Sequence, residues 1–235
     1  MTHIAKNLRF LRKQYAQNLT EFARTLDLWE DTVRRFEQGK AEPDLDTLVQ
    51  IAKQLALPIE HLLLRDLELQ DARLKVRRIG LVLLDVDGTL TDGTMTYDQE
   101  GRQYKSFHVR DGMIIHRLIT RQKLEFGFIS GGSNEAIVQA RAKTLGIDRV
   151  YCGPKPKLEI TDLWLRQMGL KYENVVYLGD DVNDLPVMRK AGLSACPADA
   201  PDSVKREVNY VLKTPGGKGC VRELMENLLG YNIVE

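Results

Sequence analysis

The sequence contains few of the features that mark secreted, metal-stapled or membrane proteins. Its 235 residues include three cysteines, with no C-x-x-C pair and no Cys/His cluster, which disfavours a disulfide framework or a zinc site. No apolar run approaches the roughly 18 residues of a membrane span. Basic residues interrupt the apolar positions of the N-terminus, unlike a signal peptide. These absences predict a cytoplasmic protein that does not contact a membrane.

An excess of one charge is also missing. The 34 basic and 33 acidic residues leave a net charge of +1, so no bulk field draws in nucleic acid or an anionic surface. With 43% hydrophobic, 7% aromatic and 29% charged residues, the composition is that of an ordinary soluble globular protein. The length is sufficient for one large domain, or for a small and a medium one.

Two sequence patterns divide the chain. Up to about residue 66, apolar residues recur at helical spacing. From residue 79 onward, short apolar runs alternate with helix-length amphipathic stretches, which is typical of a parallel sheet covered by crossover helices. We predict an all-α domain at 1–68 and an α/β domain at 76–235, with a charged helical or extended connector over 65–78. The runs expected to form strands are 79–84, 124–129, 175–178 and 193–196.

The first of these apolar runs leads directly into two acidic residues. Asp85 and Asp87, followed by Gly88, place carboxylates at the carboxyl edge of the predicted sheet, where open α/β folds bind ligands. Two acids one residue apart can divide nucleophilic attack and proton transfer. Taken alone, an acidic surface turn explains this motif equally well.

Three further polar motifs follow in order along the chain. Ser130 and Gly131 end a second apolar run, where a hydroxyl and exposed amides suit a phosphoryl group. Lys157, near the start of a helix, offers a compact phosphate-binding charge. The segment Asp180–Asp184 concentrates three carboxylates and an amide, which are ligands that Mg²⁺ prefers. Each motif has a structural explanation, but their order along the chain favours one shared site.

These motifs, DVDGT, ISGG, Lys157 and GDDVND, resemble the signature motifs of the haloacid dehalogenase superfamily over about residues 78–230. The resemblance implies a Rossmann-like α/β fold and phosphoryl transfer to water. It implies that Asp85 is the nucleophile and forms an aspartyl-phosphate. Asp87 would protonate the leaving alcohol and then activate water, and Ser130, Gly131 and Lys157 would hold the phosphoryl oxygens.

The same resemblance implies a Mg²⁺ site. Its ligands would be Asp85, the backbone carbonyl of Asp87, and Asp180, with Asp181 or Asp184 in support. Asp87 also argues against the dehalogenase branch, because a halide leaving group needs no proton donor.

The spacing of the motifs leaves no room for a lid domain. Asp85 and Ser130 are 45 residues apart, and Ser130 and Lys157 are 27 residues apart. The expected strands and helices account for both intervals. The first interval predicts a β-hairpin with strands at 94–97 and 102–107. Without a lid, exclusion of water falls to this hairpin and to a neighbouring subunit, so we expect a homo-oligomer.

Several local motifs resemble the capless branch of the superfamily, which includes 3-deoxy-D-manno-octulosonate 8-phosphate and nonulosonate 9-phosphate phosphatases. These motifs are GTMTY, FHVRDG, ADA and GGKG with the following Arg-Glu. The resemblance implies a tetramer whose glycine-rich C-terminal segment reaches a neighbour's site. Gly132 and His116 stand where octulosonate phosphatases usually carry arginines, which leaves the choice of sugar acid open. The implied substrate-binding residues are His108, Arg110, Asp111, Arg141 and Arg222.

The N-terminal region resembles a different family. Residues 22–57, with Phe36–Gly39 followed by Pro43, resemble the phage-repressor type of helix-turn-helix domain. In that family the third helix, here about 30–38, enters the major groove of DNA. Trp29 stands where the family usually carries the serine that begins this helix.

The net charge of the N-terminal region bears on whether it binds DNA. Residues 1–66 contain ten basic and ten acidic residues, whereas DNA binding draws much of its affinity from cations that neutralise phosphates. We predict a packing or assembly role, with DNA contact through Arg34 and Arg35 as the alternative.

Three hypotheses for the whole chain follow. The leading one is a Mg²⁺-dependent phosphatase of a sugar-acid phosphate that carries a helix-turn-helix appendage. The second is a transcriptional regulator whose phosphatase-like domain senses a sugar phosphate. The third is a retained scaffold domain without Mg²⁺ or phosphate binding.

Overall fold

The structure is a computed structural model that describes residues 3–15, 17–64, 66–68, 71, 79–121, 124–132 and 134–231. Two compact units divide the chain, Met1–Ala72 and Arg73–Glu235. The predicted connector lies outside the described residues, apart from positions 66–68 and 71. None of the helices in these ranges has the length and apolarity that a membrane crossing requires.

The first unit is a bundle of short helices with one apolar core. Phe22, Leu26 and Ile51 are fully buried at its centre. The second helix begins with a capping box, in which Asn18 Oδ1 accepts the Glu21 N–H at 2.9 Å and the Glu21 carboxylate accepts the Asn18 N–H at 2.9 Å. The helices are α1 (His3–Gln14), α2 (Leu19–Leu26), α3 (Glu30–Glu37), α4 (Leu45–Gln54) and α5 (Ile59–Leu64).

The second unit alternates strands and helices. Its strands are β1 (Leu81–Leu84), β2 (Thr96–Tyr97), β3 (Gln103–Tyr104), β4 (Glu125–Ser130), β5 (Arg149–Cys152), β6 (Val175–Leu178), β7 (Leu193–Cys196) and β8 (Tyr210–Val211). Its helices are α6 (Val109–Thr120), α7 (Glu135–Leu145), α8 (Lys157–Met168), α9 (Leu185–Met188), α10 (Asp202–Lys205) and α11 (Cys220–Glu223), with single turns at Val86–Leu90, Tyr172–Asn174 and Leu224–Leu228.

Six of these strands form one parallel sheet in the order β5-β4-β1-β6-β7-β8. Every residue of β1, β6 and β7 is buried, which explains the continuous apolar runs of β1 and β6. Leu84, the last residue of β1, pairs in register with Phe128 of β4 and Leu178 of β6. The carboxyl ends of the three central strands therefore meet at one edge, and the predicted fold class is confirmed.

The predicted hairpin is present, although its strands are shorter than expected. Thr96 pairs with Tyr104, and Tyr97 pairs with Gln103. Asp98 organises the turn, because its carboxylate accepts the N–H of Arg102 at 2.8 Å. Pairing stops at Tyr104, and the next residue, Lys105, extends its side chain to the carboxyl edge of the large sheet.

Candidate active site

The loop after β1 carries the predicted nucleophile. Asp85 follows Leu84 directly and is 5% exposed. The wide turn that comes next passes through Gly88, whose φ is +88°. A Cβ at Gly88 would collide with the carboxylate of Asp180, so glycine permits both the turn and the close approach of the two loops. Thr89 Oγ1 adds a hydrogen bond to Asp180 Oδ1 at 3.2 Å.

A buried lysine ties this loop to the loop after β6. Lys157 is the first residue of α8, and its Nζ donates to Asp85 Oδ1 at 2.5 Å and to Asp184 Oδ1 at 2.6 Å. The hydroxyl of Tyr177 donates to the same Asp184 oxygen at 2.6 Å. Asp184 Oδ2 accepts the backbone N–H of Asp180 at 3.1 Å. Asp184 therefore fixes both the lysine and the backbone of its own loop.

Negative charge exceeds positive charge within this cluster. One carboxylate oxygen from each of Asp85, Asp180 and Asp184 lies within 4.8 Å of the others. Lys157 brings one ammonium against these three acids. Such an excess of buried carboxylates is costly without a further cation. The set of hard oxygen donors fits a divalent ion such as Mg²⁺.

The pKa values of the cluster follow from the same imbalance. Burial, together with the charge of Asp184, raises the pKa of Asp85, although Lys157 opposes that rise. Burial also raises the pKa of Asp180 to about 6. Burial alone would lower the pKa of Lys157, but Asp85 and Asp184 outweigh it and raise that pKa. The lysine is therefore held protonated, while the acids lack sufficient positive charge.

The second acid of the first motif has different partners. Asp87 Oδ2 accepts a hydrogen bond from Ser130 Oγ at 3.2 Å, and Asp87 Oδ1 pairs with the ammonium of Lys105. Ser130 Oγ also accepts the N–H of Gly132 at 3.0 Å. The sequence alone does not single out Lys105, because a single lysine after a short strand forms no recognisable pattern.

The structure distinguishes among the candidate metal ligands. Asp85 and Asp180 join Asp184 in the cluster. Asp181 is exposed, and its carboxylate accepts the N–H of Val182 at 2.7 Å. Among the described residues, no group of three potential ligands includes Asp181. The proposed contact of the metal with the Asp87 carbonyl and with Asp181 stays a prediction.

The remaining phosphoryl-binding candidate, Gly131, borders the same edge. A Cβ built on Gly131 would lie 3.6 Å from the side-chain Nδ2 of Asn183. Ser130, Gly131 and Lys157 thus lie around the two loops that carry the acids.

Three of the predicted substrate-binding residues share a small pocket beside this edge. His108, Asp111 and Arg141 line it together with Phe107, and the Arg141 guanidinium lies 5.4 Å from the Phe107 ring centroid. Within the described part of the chain, His108 Nδ1 and Asp111 Oδ2 are buried without a hydrogen-bond partner. Arg110 is exposed next to them. Their contact with substrate stays a prediction.

The fifth candidate, Arg222, is engaged within its own chain. Its backbone N–H donates to Asp111 Oδ1 at 2.8 Å, and its guanidinium pairs with Glu226 at 2.9 Å. Burial raises the pKa of Asp111, and the hydrogen bond from Arg222 opposes that rise.

The glycine-rich segment before Arg222 packs on the nucleophile loop of its own subunit. The N–H of Gly217 donates to the Thr89 carbonyl at 2.9 Å, and Cys220 Sγ lies 3.3 Å from the same oxygen. A Cβ at Gly216 would collide with the carbonyl of Gly88. The resemblance implied that this segment reaches a neighbour's site; within one chain it supports the loop that carries Asp85.

Comparison with known proteins bears on both units. Residues 106–192 match the haloacid dehalogenase-like hydrolase family, and residues 8–62 match a helix-turn-helix family. A 3-deoxy-D-manno-octulosonate 8-phosphate phosphatase of Escherichia coli is 40% identical over 159 residues, which cover 68% of this chain and 84% of that protein.

Solved structures agree with this result. The cobalt-bound deoxy-D-mannose-octulosonate 8-phosphate phosphatase of Haemophilus influenzae is 40% identical with a TM-score of 0.62, covering 66% of this chain and 90% of that one. The Moraxella catarrhalis 3-deoxy-D-manno-octulosonate 8-phosphate phosphatase, in complex with magnesium, phosphate and KDO, is 32% identical with a TM-score of 0.63, covering 70% and 91%. The chain therefore belongs to the haloacid dehalogenase-like hydrolases, and a helix-turn-helix region precedes its hydrolase region.

Proposed function

We propose that this phosphatase hydrolyses 3-deoxy-D-manno-octulosonate 8-phosphate through an aspartyl-phosphate on Asp85, with Mg²⁺ as cofactor. The observation that carries the proposal is the buried Asp85, held by Lys157 inside a cluster of three carboxylates. Relatives of this chain that are 40% identical bear the name of that phosphatase.

The residues at the sheet edge suit two successive displacements at phosphorus. A carboxylate oxygen of Asp85 attacks the phosphorus, the bond to the sugar oxygen breaks, and Asp87 gives its proton to the departing oxygen. Asp87 then takes a proton from water as that water attacks the phosphorus. The phosphorus–Asp85 bond breaks, so phosphate leaves and the carboxylate is regenerated.

Ser130 and Lys157 are placed to hold the phosphoryl oxygens during these steps. Ser130 Oγ lies within hydrogen-bond distance of Asp87, and Lys157 contacts Asp85, so both donors flank the two acids. Lys157 is protonated, and a compact ammonium suits the charged oxygens of a phosphate.

Asp85, Asp180 and Asp184 would hold the metal. Their excess of carboxylates over ammonium groups supports a divalent ion at this position. When bound, Mg²⁺ neutralises these acids and the phosphoryl oxygens and so lowers the electrostatic cost of attack.

The sugar-acid assignment draws on cations near the site. Arg141 lines the pocket of His108 and Asp111, and Arg110 is exposed beside it. Guanidinium groups bind carboxylates in a bidentate manner, so a substrate that is both a phosphate and a carboxylate suits this edge. A nonulosonate 9-phosphate has the same two groups and is the alternative substrate.

The test is phosphate release from a panel of sugar phosphates, with and without Mg²⁺. We expect Mg²⁺-dependent turnover of octulosonate 8-phosphate that exceeds turnover of neutral sugar phosphates of equal length. Preference for the nonulosonate 9-phosphate would change the substrate and keep the reaction. Folded protein that binds Mg²⁺ and hydrolyses no member of the panel would favour the regulator hypothesis.

The exposed surface of the hairpin supports a homo-oligomer, with a tetramer as the expected form. Met95, Tyr97 and Tyr104 are each more than half exposed, as are Val109 and Met113 on α6. Exposed apolar groups this close in sequence are typical of a protein–protein interface. Sedimentation velocity of the full chain, compared with a Tyr97→Ser and Tyr104→Ser variant, tests this assignment.

The helix-turn-helix unit supports assembly better than DNA binding. The Arg34 guanidinium pairs with Glu30 and lies 3.4 Å from Asp31 on its own helix. Trp29, at the start of α3, is 85% exposed. An arginine that pairs with acids of its own helix offers less positive charge to a phosphate, which favours the assembly role over DNA contact through Arg34.

A further inference from the structure

Lys105 is a buried lysine that the reaction described above does not use. It follows β3 and joins the hairpin to α6, and its side chain is 5% exposed. Lysines usually keep their ammonium in water, because a buried charge is costly unless it is paired. The ammonium of Lys105 is paired with Asp87, the acid that serves the leaving group.

The contact leaves Asp87 held on both sides. Lys105 binds Oδ1, and Ser130 Oγ donates to Oδ2 at 3.2 Å. Ser130 is itself held by the N–H of Gly132. One donor comes from the end of β4 and the other from the hairpin, so together they fix the plane of the Asp87 carboxyl group.

The other buried lysine of the site is not available for this task. Lys157 already donates to Asp85 and Asp184. Each acid of the first motif therefore has its own lysine: Lys157 contacts Asp85, and Lys105 contacts Asp87.

We propose that Lys105 is a positioning residue that orients the Asp87 carboxyl group toward the leaving-group oxygen. This inference rests on the proposed function, because it assigns Asp87 the transfer of a proton to that oxygen. It makes the hairpin part of the catalytic arrangement, since movement of β3 moves Lys105 and with it Asp87.

The leaving group provides a specific readout. A sugar alcohol departs as a strongly basic alkoxide unless it receives a proton, so its release depends on a well-placed Asp87. An aryl oxide such as p-nitrophenolate is weakly basic and departs without that proton. Loss of Lys105 should therefore slow the release of the alcohol from alkyl phosphates and spare the release of the aryl oxide from aryl phosphates. The water step that follows uses Asp87 with either substrate, so the comparison is made on the first step alone.

The experiment compares Lys105→Met, Lys105→Arg and the exposed-lysine control Lys143→Met in the full chain with Mg²⁺. For Lys105→Met we expect the single-turnover rate of sugar release from octulosonate 8-phosphate to fall about 100-fold, which is typical of a misplaced catalytic group. For the single-turnover release of p-nitrophenolate from p-nitrophenyl phosphate we expect a loss below about threefold, with KM little changed on either substrate. Lys105→Arg should recover part of the loss, and Lys143→Met should match the wild type.

A second variant tests whether Lys105 acts through Asp87. In an Asp87→Asn background, Lys105→Met should cause no further loss on octulosonate 8-phosphate, because the group it positions has already lost its function. If Lys105→Met is poorly folded by circular dichroism, Lys105→Gln takes its place in both assays.

Two results would overturn the inference. Equal losses in the single-turnover release of the sugar and of the aryl oxide would assign Lys105 to phosphoryl binding or to folding. A rise in KM confined to substrates with a carboxylate would make it a substrate-binding residue. Asp85→Asn in the same assays distinguishes failure of the Lys105 proposal from failure of the proposed function. If Asp85→Asn stays active, Asp85 is not the nucleophile, whatever the effect of Lys105→Met.

Discussion

Charged side chains are balanced differently in the two units of the chain. In the helix-turn-helix unit, some acids and bases pair one to one, as in the bidentate pair of Arg12 with Glu37 and the pairing of Arg34 with Glu30. At the edge of the sheet, the buried carboxylates of Asp85 and Asp184 and the half-buried carboxylate of Asp180 lie together, and Lys157 pairs with the first two. The charges of the first arrangement are neutralised without a ligand. The second arrangement has an excess of negative charge that a bound cation would neutralise, as in a catalytic site.

The strongest test of this contrast is removal of the nucleophile. Asp85→Asn keeps the size of the side chain but removes its charge, and we expect phosphatase activity to fall by about 10⁴-fold or more. Asp148→Asn, at an exposed carboxylate before β5, is the matched control and should keep wild-type activity. Phosphate release from octulosonate 8-phosphate measures both variants, and an active Asp85→Asn enzyme would refute the aspartyl-phosphate.

The second test measures how the binding of Mg²⁺ to the three acids depends on pH. Burial raises the pKa of Asp180 to about 6 and that of Asp85 well above its usual range, so both acids bind protons as the pH falls. A metal must displace those protons, and we expect Mg²⁺ affinity to fall at least tenfold between pH 8 and pH 5, at about tenfold per proton displaced per pH unit. Calorimetric titration and the shift in Tm on adding Mg²⁺ measure the effect.

The sign of this effect is set by the acids and not by Lys157. The pKa of Lys157 is raised, so the lysine stays protonated throughout that range. Asp180→Asn should weaken Mg²⁺ binding at pH 8 and flatten its pH dependence. Affinity that stays constant from pH 8 to pH 5 would contradict a site built from these acids.

A third test breaks a pair in the other unit. Glu37 is 6% exposed and holds Arg12 through two hydrogen bonds of 2.7 and 3.0 Å. We expect Glu37→Gln to lower the free energy of unfolding of this unit by about 1 to 3 kcal/mol, below the cost for a fully buried pair because Arg12 is partly exposed. Activity per folded molecule should not change. The exposed Glu42→Gln is the control, and thermal denaturation with parallel assays is the measurement.

The smallest effect is expected for the arginines of α3. Because Arg34 is paired on its own helix and we predict an assembly role for this unit, Arg34→Ala with Arg35→Ala should leave DNA affinity unchanged within about twofold at 50 to 200 mM salt. Fluorescence anisotropy with mixed duplexes measures it. Sequence-selective binding by the wild type that disappears in the variant would restore the regulator hypothesis.

The main features of the fold were predictable because burial on both faces of a sheet leaves a strong pattern. The apolar runs before Asp85 and Asp180 mark β1 and β6, and the Asn18/Glu21 pair marks the start of α2. Acids that follow neighbouring parallel strands must lie at the same edge of the sheet, so the approach of Asp85 to Asp180 follows from the topology.

Details within the loops were not predictable, because they depend on which way a side chain turns. The resemblance implied Asp181 or Asp184 as the supporting metal ligand, and nothing in the sequence separates the two. The structure turns Asp184 inward, where Tyr177, Lys157 and the backbone of Asp180 bind it, while Asp181 caps its own turn. The position of Lys105 was not predictable for the same reason, since it depends on a contact with Asp87, 18 residues away in sequence.

The packing of the glycine-rich segment has a consequence for how the site is made in the cell. Asp85 emerges early in synthesis, but the loop that carries it rests on Gly216, Gly217 and Cys220. Since the chain is made from its N-terminus at about 5 to 20 residues per second, several seconds separate the nucleophile from its support. The helical bundle can fold on the ribosome, whereas the catalytic edge assembles only once residue 220 has left the exit tunnel.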